Sequence, residues 1–101
     1  MQKKREIFGF VSFLVEHILY KQRITEKKIK DFNFFKKHIK IVSVTYCRGN
    51  IIRNRIKRID KNTLLIRIKK TRYVYYKIVI EVNDLDNRTI EFLNSFLVFL
   101  N

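Results

Sequence analysis

Proline is absent from this 101-residue chain, and glycine occurs only at Gly9 and Gly49. Flexible linkers are usually rich in glycine, serine or proline, so the sequence offers no obvious boundary between separate folding units. A chain of this length is expected to form one domain around one hydrophobic core.

Cysteine and histidine are also scarce. Cys47 is the only cysteine, which excludes an intrachain disulfide and any thiol-based metal site within one chain. His17 and His38 are too few for a metal cluster, and no glycine-rich phosphate loop or histidine accompanies the acidic residues near the C-terminus. We therefore expect a protein that is not an enzyme, that needs no metal or other cofactor, and that functions in the reducing cytoplasm.

Long apolar runs are missing as well. The apolar stretch at residues 7–20 is shorter than the roughly 18 to 20 residues that a membrane span needs, and Glu16 and His17 interrupt it. No small-residue cleavage site follows this stretch. We expect neither a membrane span nor a signal peptide.

Acidic residues are the last deficit, with 9 Asp and Glu against 23 Lys and Arg, for a formal net charge of +14. The surplus is uneven. Residues 1–40 carry 11 basic and 4 acidic side chains, residues 41–79 carry 11 and 1, and residues 80–101 carry 1 and 4. Codon bias inflates lysine but does not explain this unevenness, whereas a polyanion partner does, and nucleic acid is the default polyanion.

Two helices are predicted before residue 39. Apolar residues recur at helical spacing over residues 5–21, on a stripe wide enough to be buried on two sides. Thr25 can cap a second helix over residues 25–38, with Glu26 near its start and Lys36 and Lys37 near its end, where the helix dipole favours each charge.

Five strands are predicted after residue 38, over residues 39–46, 51–59, 63–69, 73–77 and 79–82. In the first strand the alternation places Ile39, Ile41, Ser43 and Thr45 on one face and Lys40, Val42, Val44 and Tyr46 on the other. Turns are predicted at residues 48–50, where Gly49 and Asn50 tolerate positive φ, and at residues 60–62, where Asp60 supplies Asx chemistry. A final helix is predicted over residues 88–99, capped by Asp86 or Asn87. The predicted fold class is α+β and mainly β: N-terminal helices, a small five-stranded bent-sheet barrel and a C-terminal helix.

Residues 42–49, 55–60 and 64–67 together resemble the first Sm motif of the Hfq family of Sm-like (LSm) RNA-binding proteins. Gly49 and Asp60 are eleven residues apart, as in that family. The second Sm motif resembles Tyr76-Lys77 with the apolar residues 78–82, and residues 32–37 resemble the end of the family's N-terminal helix.

The resemblance implies an RNA chaperone that forms a homo-oligomeric ring of six or seven subunits, with a hexamer favoured. It divides the chain into an N-terminal helical extension (1–24), an Sm-like helix with a five-stranded barrel (25–83) and a C-terminal helix (84–101). Three positions at which the family contacts bases carry Lys28, Thr45 and Asn62 here. Asn54 replaces a glycine that permits sharp bending of the second strand, and Ile78 and Val79 replace a histidine and a small residue of the second motif. Phosphate contacts are therefore expected to dominate RNA binding.

Predicted RNA-binding residues come from the basic segments and from the resemblance. They are Asn33, Lys36, Lys37, Gly49, Arg53, Arg55, Arg72, Tyr76 and Lys77, with Arg58, Arg67, Lys69 and Lys70 as further cations for phosphate. Tyr46, Tyr73, Tyr75 and Tyr76 are candidates for base stacking, although core packing is the commoner fate of such residues. Gly49 and Asp60 are also assigned structural roles in their turns.

Three functions follow from these expectations. The first is a protein that binds single-stranded RNA, including small regulatory RNA and mRNA, and promotes annealing or post-transcriptional regulation. The second is a ribosomal or nucleoid scaffold, which would also bind DNA non-specifically. The third is a module that binds a protein partner or a membrane surface through the apolar terminal helices.

Overall fold

The computed structural model describes residues 2–20, 27, 38–50 and 53–98. Within them the chain forms helix α1 (Gln2–Tyr20), strands β1 (Ile39–Arg48), β2 (Arg55–Asp60), β3 (Thr63–Thr71) and β4 (Val74–Val82), and helix α2 (Asn87–Val98). The predicted α+β class, with an N-terminal helix, a sheet and a C-terminal helix, is confirmed. The predicted helix at residues 25–38 lies outside the described residues apart from Lys27 and His38.

The four strands form one antiparallel sheet in the order β1-β4-β3-β2. The prediction of five strands and a closed barrel is wrong. Residues 73–82 contain no proline or glycine, and the β-branched residues of this segment favour a continuous strand, so the two predicted strands are one, β4. Because β1 and β2 lie at opposite edges and do not pair, the sheet is open.

The hydrophobic core lies between one face of the sheet and the two helices. Alternate residues of the central strands supply it, Leu64, Ile66 and Ile68 from β3 and Tyr76, Ile78 and Ile80 from β4. Helix α1 contributes Ile7, Phe10, Val11, Leu14 and Ile18, and α2 contributes Ile90, Leu93 and Leu97. Helix α1 is therefore part of the same core as the sheet.

Strand β1 does not keep the strict alternation that the sequence predicts. Ile41 pairs with Ile80, but Ser43 pairs with Val79, so Val42 is an extra residue at a β-bulge. Beyond the bulge Val44 packs against the core and Ser43 and Thr45 face away from it, the reverse of the predicted arrangement. The bulge keeps apolar side chains on the core side over the whole strand.

Polar contacts fix the ends of both helices. Lys70 Nζ donates to the carbonyl oxygen of Ile18 at 2.7 Å, where the last turn of α1 leaves carbonyls unpaired. Glu6 Oε2 accepts hydrogen bonds from the backbone N–H of His38 at 3.0 Å and from its ring Nδ1 at 2.7 Å. Of the two predicted caps of α2, Asp86 is the one used, since its carboxylate accepts from both the backbone N–H and the hydroxyl of Thr89.

Candidate nucleic-acid interface

The face of the sheet that points away from the helices, the outer face, is built from four rows of residues that lie opposite one another across the strands. The rows, each written from the β2 edge towards β1, are Asp60, Thr63, Glu81 and Lys40; Lys57, Leu65, Val79 and Ser43; Arg55, Arg67, Lys77 and Thr45; and Lys69, Tyr75 and Cys47. Both acidic residues lie in the first row. The other rows carry only cationic, polar or apolar side chains.

Six cations from β2, β3, β4 and the residues just before β2 define the basic cluster: Arg53, Arg55, Lys57, Arg67, Lys69 and Lys77. At its centre Arg55 lies opposite Arg67, and Arg67 lies opposite Lys77. Cβ atoms of directly opposed residues are about 4.5 to 5.5 Å apart, a separation at which like charges destabilise a sheet. Within the described part of the chain, no ion pair or hydrogen bond engages these six side chains. A bound polyanion would remove the repulsion.

The exposure of the basic cluster suits contact with a ligand. Arg53, Arg55, Lys57 and Arg67 are exposed, and Lys69 and Lys77 are half-buried. Lysine and arginine commonly lay their apolar stems over neighbouring side chains while the charged heads remain in water. The cluster therefore presents its charges on the surface of a rigid sheet.

Tyr75 is the aromatic residue of the outer face, where it lies opposite Lys69 on one side and Cys47 on the other. Tyr76, by contrast, lies in the core and is 1% exposed, and its ring meets that of the exposed Tyr46 edge-on at a centroid distance of 5.1 Å. Successive residues of a strand point to opposite faces, so the predicted pair of Tyr76 and Lys77 is separated. Lys77 belongs to the basic cluster, whereas Tyr76 has no exposed ring surface with which to stack a base.

Three further predicted residues lie at the end of the sheet beyond Tyr75. Arg72 and Tyr73 form the turn between β3 and β4, with the Arg72 guanidinium 5.5 Å from the centroid of the Tyr73 ring. Gly49 follows β1 with a φ of 147°, a conformation that favours glycine, and its N–H donates to the carbonyl oxygen of Tyr73 at 2.8 Å. The turn between β3 and β4 and the bend that follows β1 therefore lie at the same end of the sheet.

Three predicted residues, Asn33, Lys36 and Lys37, lie outside the described part of the chain. Two other cations of the predicted phosphate set hold the fold together. Arg58 donates from Nη1 to the carbonyl oxygen of Lys61 at 2.6 Å, from Nη2 to that of Leu85, and from Nε to Asn87 Oδ1 at 3.2 Å. Lys70 caps α1. Neither belongs to the basic cluster.

A groove with a volume of about 770 Å³ lies between the β2 edge and the last turns of α2. Its lining includes four cations of the basic cluster: Arg53, Arg55, Lys57 and Arg67. Asn50, Leu65 and Val98 supply an amide and two apolar surfaces. The groove is therefore continuous with the outer face but differs from it in chemistry.

The wall of the groove is fixed by two further asparagines. Asn94 on α2 accepts from the backbone N–H of Ile56 and donates to its carbonyl oxygen, both at 2.8 Å. Asn54 is buried and accepts from the backbone N–H of Lys69 at 2.7 Å. Asn94 thus bonds the free edge of β2 as a neighbouring strand would.

The sequence-based prediction passed over Lys57 and Asn94, and it preferred Tyr76 to Tyr75. Strand alternation could have identified Lys57 and Tyr75, because Lys57 shares a face with Arg55 and Tyr75 shares a face with Lys77. No local signal marks Asn94, which bonds a residue 38 positions away.

Over the described ranges, no cluster of His, Cys, Asp and Glu could hold a metal ion, and no helix is long and apolar enough to cross a membrane. No protein-family model, curated protein or solved structure matches the chain. The molecule is thus defined by its own geometry, as an α+β protein with one helix-covered sheet face and one basic face.

Proposed function

We propose that the outer face binds single-stranded RNA, mainly through contacts of the basic cluster with phosphates. The observation that carries the proposal is the row formed by Arg55, Arg67 and Lys77. These side chains repel one another in the free protein and each can bind a phosphate oxygen, so RNA binding relieves a strain that the fold does not otherwise compensate.

The shape of the outer face favours a single strand over a duplex. Four strands at a spacing of about 4.8 Å give a surface about 15 Å wide, which suits a single strand lying across it. Tyr75 is an aromatic platform among the cations, and stacking of bases on such rings is the common mode of single-strand binding. Cation and ring together support RNA contacts that depend little on sequence.

The resemblance to the Hfq family lends less support than the charge. Four strands in the order β1-β4-β3-β2 differ from the five-stranded barrel that the resemblance implies. The predicted fourth and fifth strands, residues 73–77 and 79–82, lie in the single strand β4, which pairs with β1 and β3. The hexameric ring stays a prediction, and RNA binding is proposed from the basic cluster and Tyr75 instead of from the resemblance.

A surface of this kind promotes annealing without covalent chemistry. By screening phosphate charge and holding two strands close together, the basic cluster would speed the pairing of complementary RNAs, including a small regulatory RNA and its mRNA target. We propose this activity as the role of the protein in post-transcriptional regulation.

The first test compares two triple variants that each remove three positive charges. Arg55→Ala, Arg67→Ala and Lys77→Ala change the basic cluster, and Arg5→Ala, Lys61→Ala and Arg88→Ala change exposed cations elsewhere. Affinity for a fluorescent single-stranded RNA is measured by anisotropy over a range of salt concentrations. Each phosphate contact adds about 0.7 to the slope of log affinity against log salt, so the cluster variant should lower the slope by about 2.

Equal slopes for the two variants would show that net charge, and not the outer face, binds RNA. A second measurement separates the proposed role from a static scaffold. The wild-type protein should bind single-stranded RNA more tightly than duplex DNA and should speed the annealing of complementary RNAs. Equal affinities, or an unchanged annealing rate, would favour the scaffold.

A further inference from the structure

The groove beside α2 combines features that phosphate binding alone does not require. Its volume of about 770 Å³ is within the range of about 300 to 1,000 Å³ that is typical of sites for small organic ligands. Besides four cations it has the apolar side chains of Leu65 and Val98, and the amide of Asn50. Such a lining suits a ligand in which a heterocycle is attached to an anionic group.

The polar groups of the groove divide into fixed and available ones. Asn94 bonds the backbone of Ile56 through both its oxygen and its nitrogen, and Asn54 bonds the backbone of Lys69, so these amides shape the wall. Asn50 is exposed and follows Gly49 at the end of β1. Its amide has both a donor and an acceptor, as does the hydrogen-bonding edge of a nucleic-acid base.

We propose that this groove is a base-binding subsite that receives one unstacked nucleotide of the RNA strand held on the outer face. The base packs against Leu65 and Val98, Asn50 bonds its edge, and Arg53 and Arg67 contact the phosphates on either side. Guanidinium groups also stack on bases, which suits their place in the lining. The inference rests on the proposed RNA binding and adds to it a site that distinguishes a base from bare sugar-phosphate.

The test uses three fluorescent strands of equal length: a mixed-sequence RNA, an RNA with a single base, and a base-free sugar-phosphate strand. The wild-type protein should bind the base-bearing strands about tenfold more tightly than the base-free strand, as expected for one buried base. Asn50→Ala should reduce that ratio several-fold, and any preference that remains is expected from stacking on Tyr75. The matched control is Asn83→Ala, at an exposed asparagine in the loop after β4, which should keep the wild-type ratio.

A direct observation locates the base. Methyl resonances of Leu65 and Val98 should shift when a nucleoside monophosphate is added, and they should shift less with ribose 5-phosphate, which has no base. Equal shifts with the two compounds would assign the groove to phosphate alone.

The outcomes separate the two proposals. If base-free and base-bearing strands bind equally and tightly, the subsite is wrong and RNA binding by the basic cluster stands. If Asn50→Ala leaves the tenfold ratio intact, the base is bound elsewhere and the groove is overturned. If no strand binds, the proposed function itself fails.

Discussion

Asp60 holds the tight turn between β2 and β3. Its carboxylate accepts a hydrogen bond from the backbone N–H of Asn62 at 3.0 Å. The hydroxyl of Thr63, then the backbone of Asn62, hold the pKa of the Asp60 carboxyl below its ordinary value of 3.8, with a smaller contribution from the charge of Arg58. The charged form is therefore favoured in the folded protein.

Asp60→Asn should make the stability of the turn independent of pH in the acid range. Because the pKa of Asp60 is lower in the folded than in the unfolded chain, its contribution is present above the unfolded pKa of about 4 and is lost as the pH falls through the folded pKa. Urea unfolding midpoints of wild type and variant should differ at pH 6 and converge towards pH 3. A difference that stays constant over this range would contradict the assignment.

The tyrosines show what residue patterns reveal and what they conceal. Composition and spacing identify Tyr75, Tyr76 and Lys77 as neighbours within a basic strand. Either tyrosine could face the core, because the alternation gives two faces without saying which one the helices cover. In the structure Tyr76 faces the core together with Ile78 and Ile80, so Tyr75 is the one that lies on the outer face.

At the scale of secondary-structure elements, the free edge of β2 is protected by α2. An unpaired strand edge invites pairing with another chain, and Asn94 covers the exposed polar groups of Ile56. The rest of α2 packs its apolar side against β2, with Leu93 and Leu97 in the core. The C-terminal helix is thus part of the sheet's architecture and not an appendage.

Asn94→Ala should destabilise the protein by about 2 kcal/mol, since it removes two hydrogen bonds worth about 1 kcal/mol each. It should also increase association, measured by light scattering, because the β2 edge becomes available. The control is Ser95→Ala, whose hydroxyl donates within the helix to the carbonyl oxygen of Glu91. Equal stability and equal light scattering of the two variants would show that Asn94 does not protect the β2 edge.

The sequence predicted most elements but not how they join. Residues 5–21, 63–69 and 88–99 match α1, β3 and α2 closely, because their hydrophobic periodicity is strong. The bulge at Val42 and the continuity of β4 were missed. Both depend on pairing with distant strands, and neither leaves a local turn signal such as glycine, proline or asparagine.

For the molecule as a whole, the sequence predicted a polyanion partner but not which surface carries the charge. A net charge of +14 points to a polyanion wherever the cations lie. The sheet order then brings six cations together over β2, β3 and β4, while Arg58 and Lys70 bond backbone carbonyl oxygens. Predicting which cations lie together on the outer face requires the pairing register of the strands, which composition does not give.

Arg67→Thr should stabilise the free protein by about 0.5 to 1 kcal/mol while weakening RNA binding, because it removes the central charge of the row between Arg55 and Lys77. The gain in stability should shrink when the salt concentration is raised from about 0.1 M to about 1 M, because the screening length falls from about 10 Å to about 3 Å. Thermal unfolding of both proteins at these two salt concentrations measures the gain. Arg67→Lys keeps the charge and should match the wild type, and a stability gain for this variant equal to that of Arg67→Thr would contradict the electrostatic cause.

The bonded asparagine on α2 also limits how copies of the molecule could join strand to strand. A ring or a filament built by strand pairing needs an available edge on both sides of every subunit, whereas within the described residues Asn94 bonds the outward polar groups of Ile56 on the β2 edge. A second copy could pair with this part of β2 only by displacing the Asn94 amide. Strand pairing at this edge is therefore a competition between an intramolecular bond and an intermolecular one.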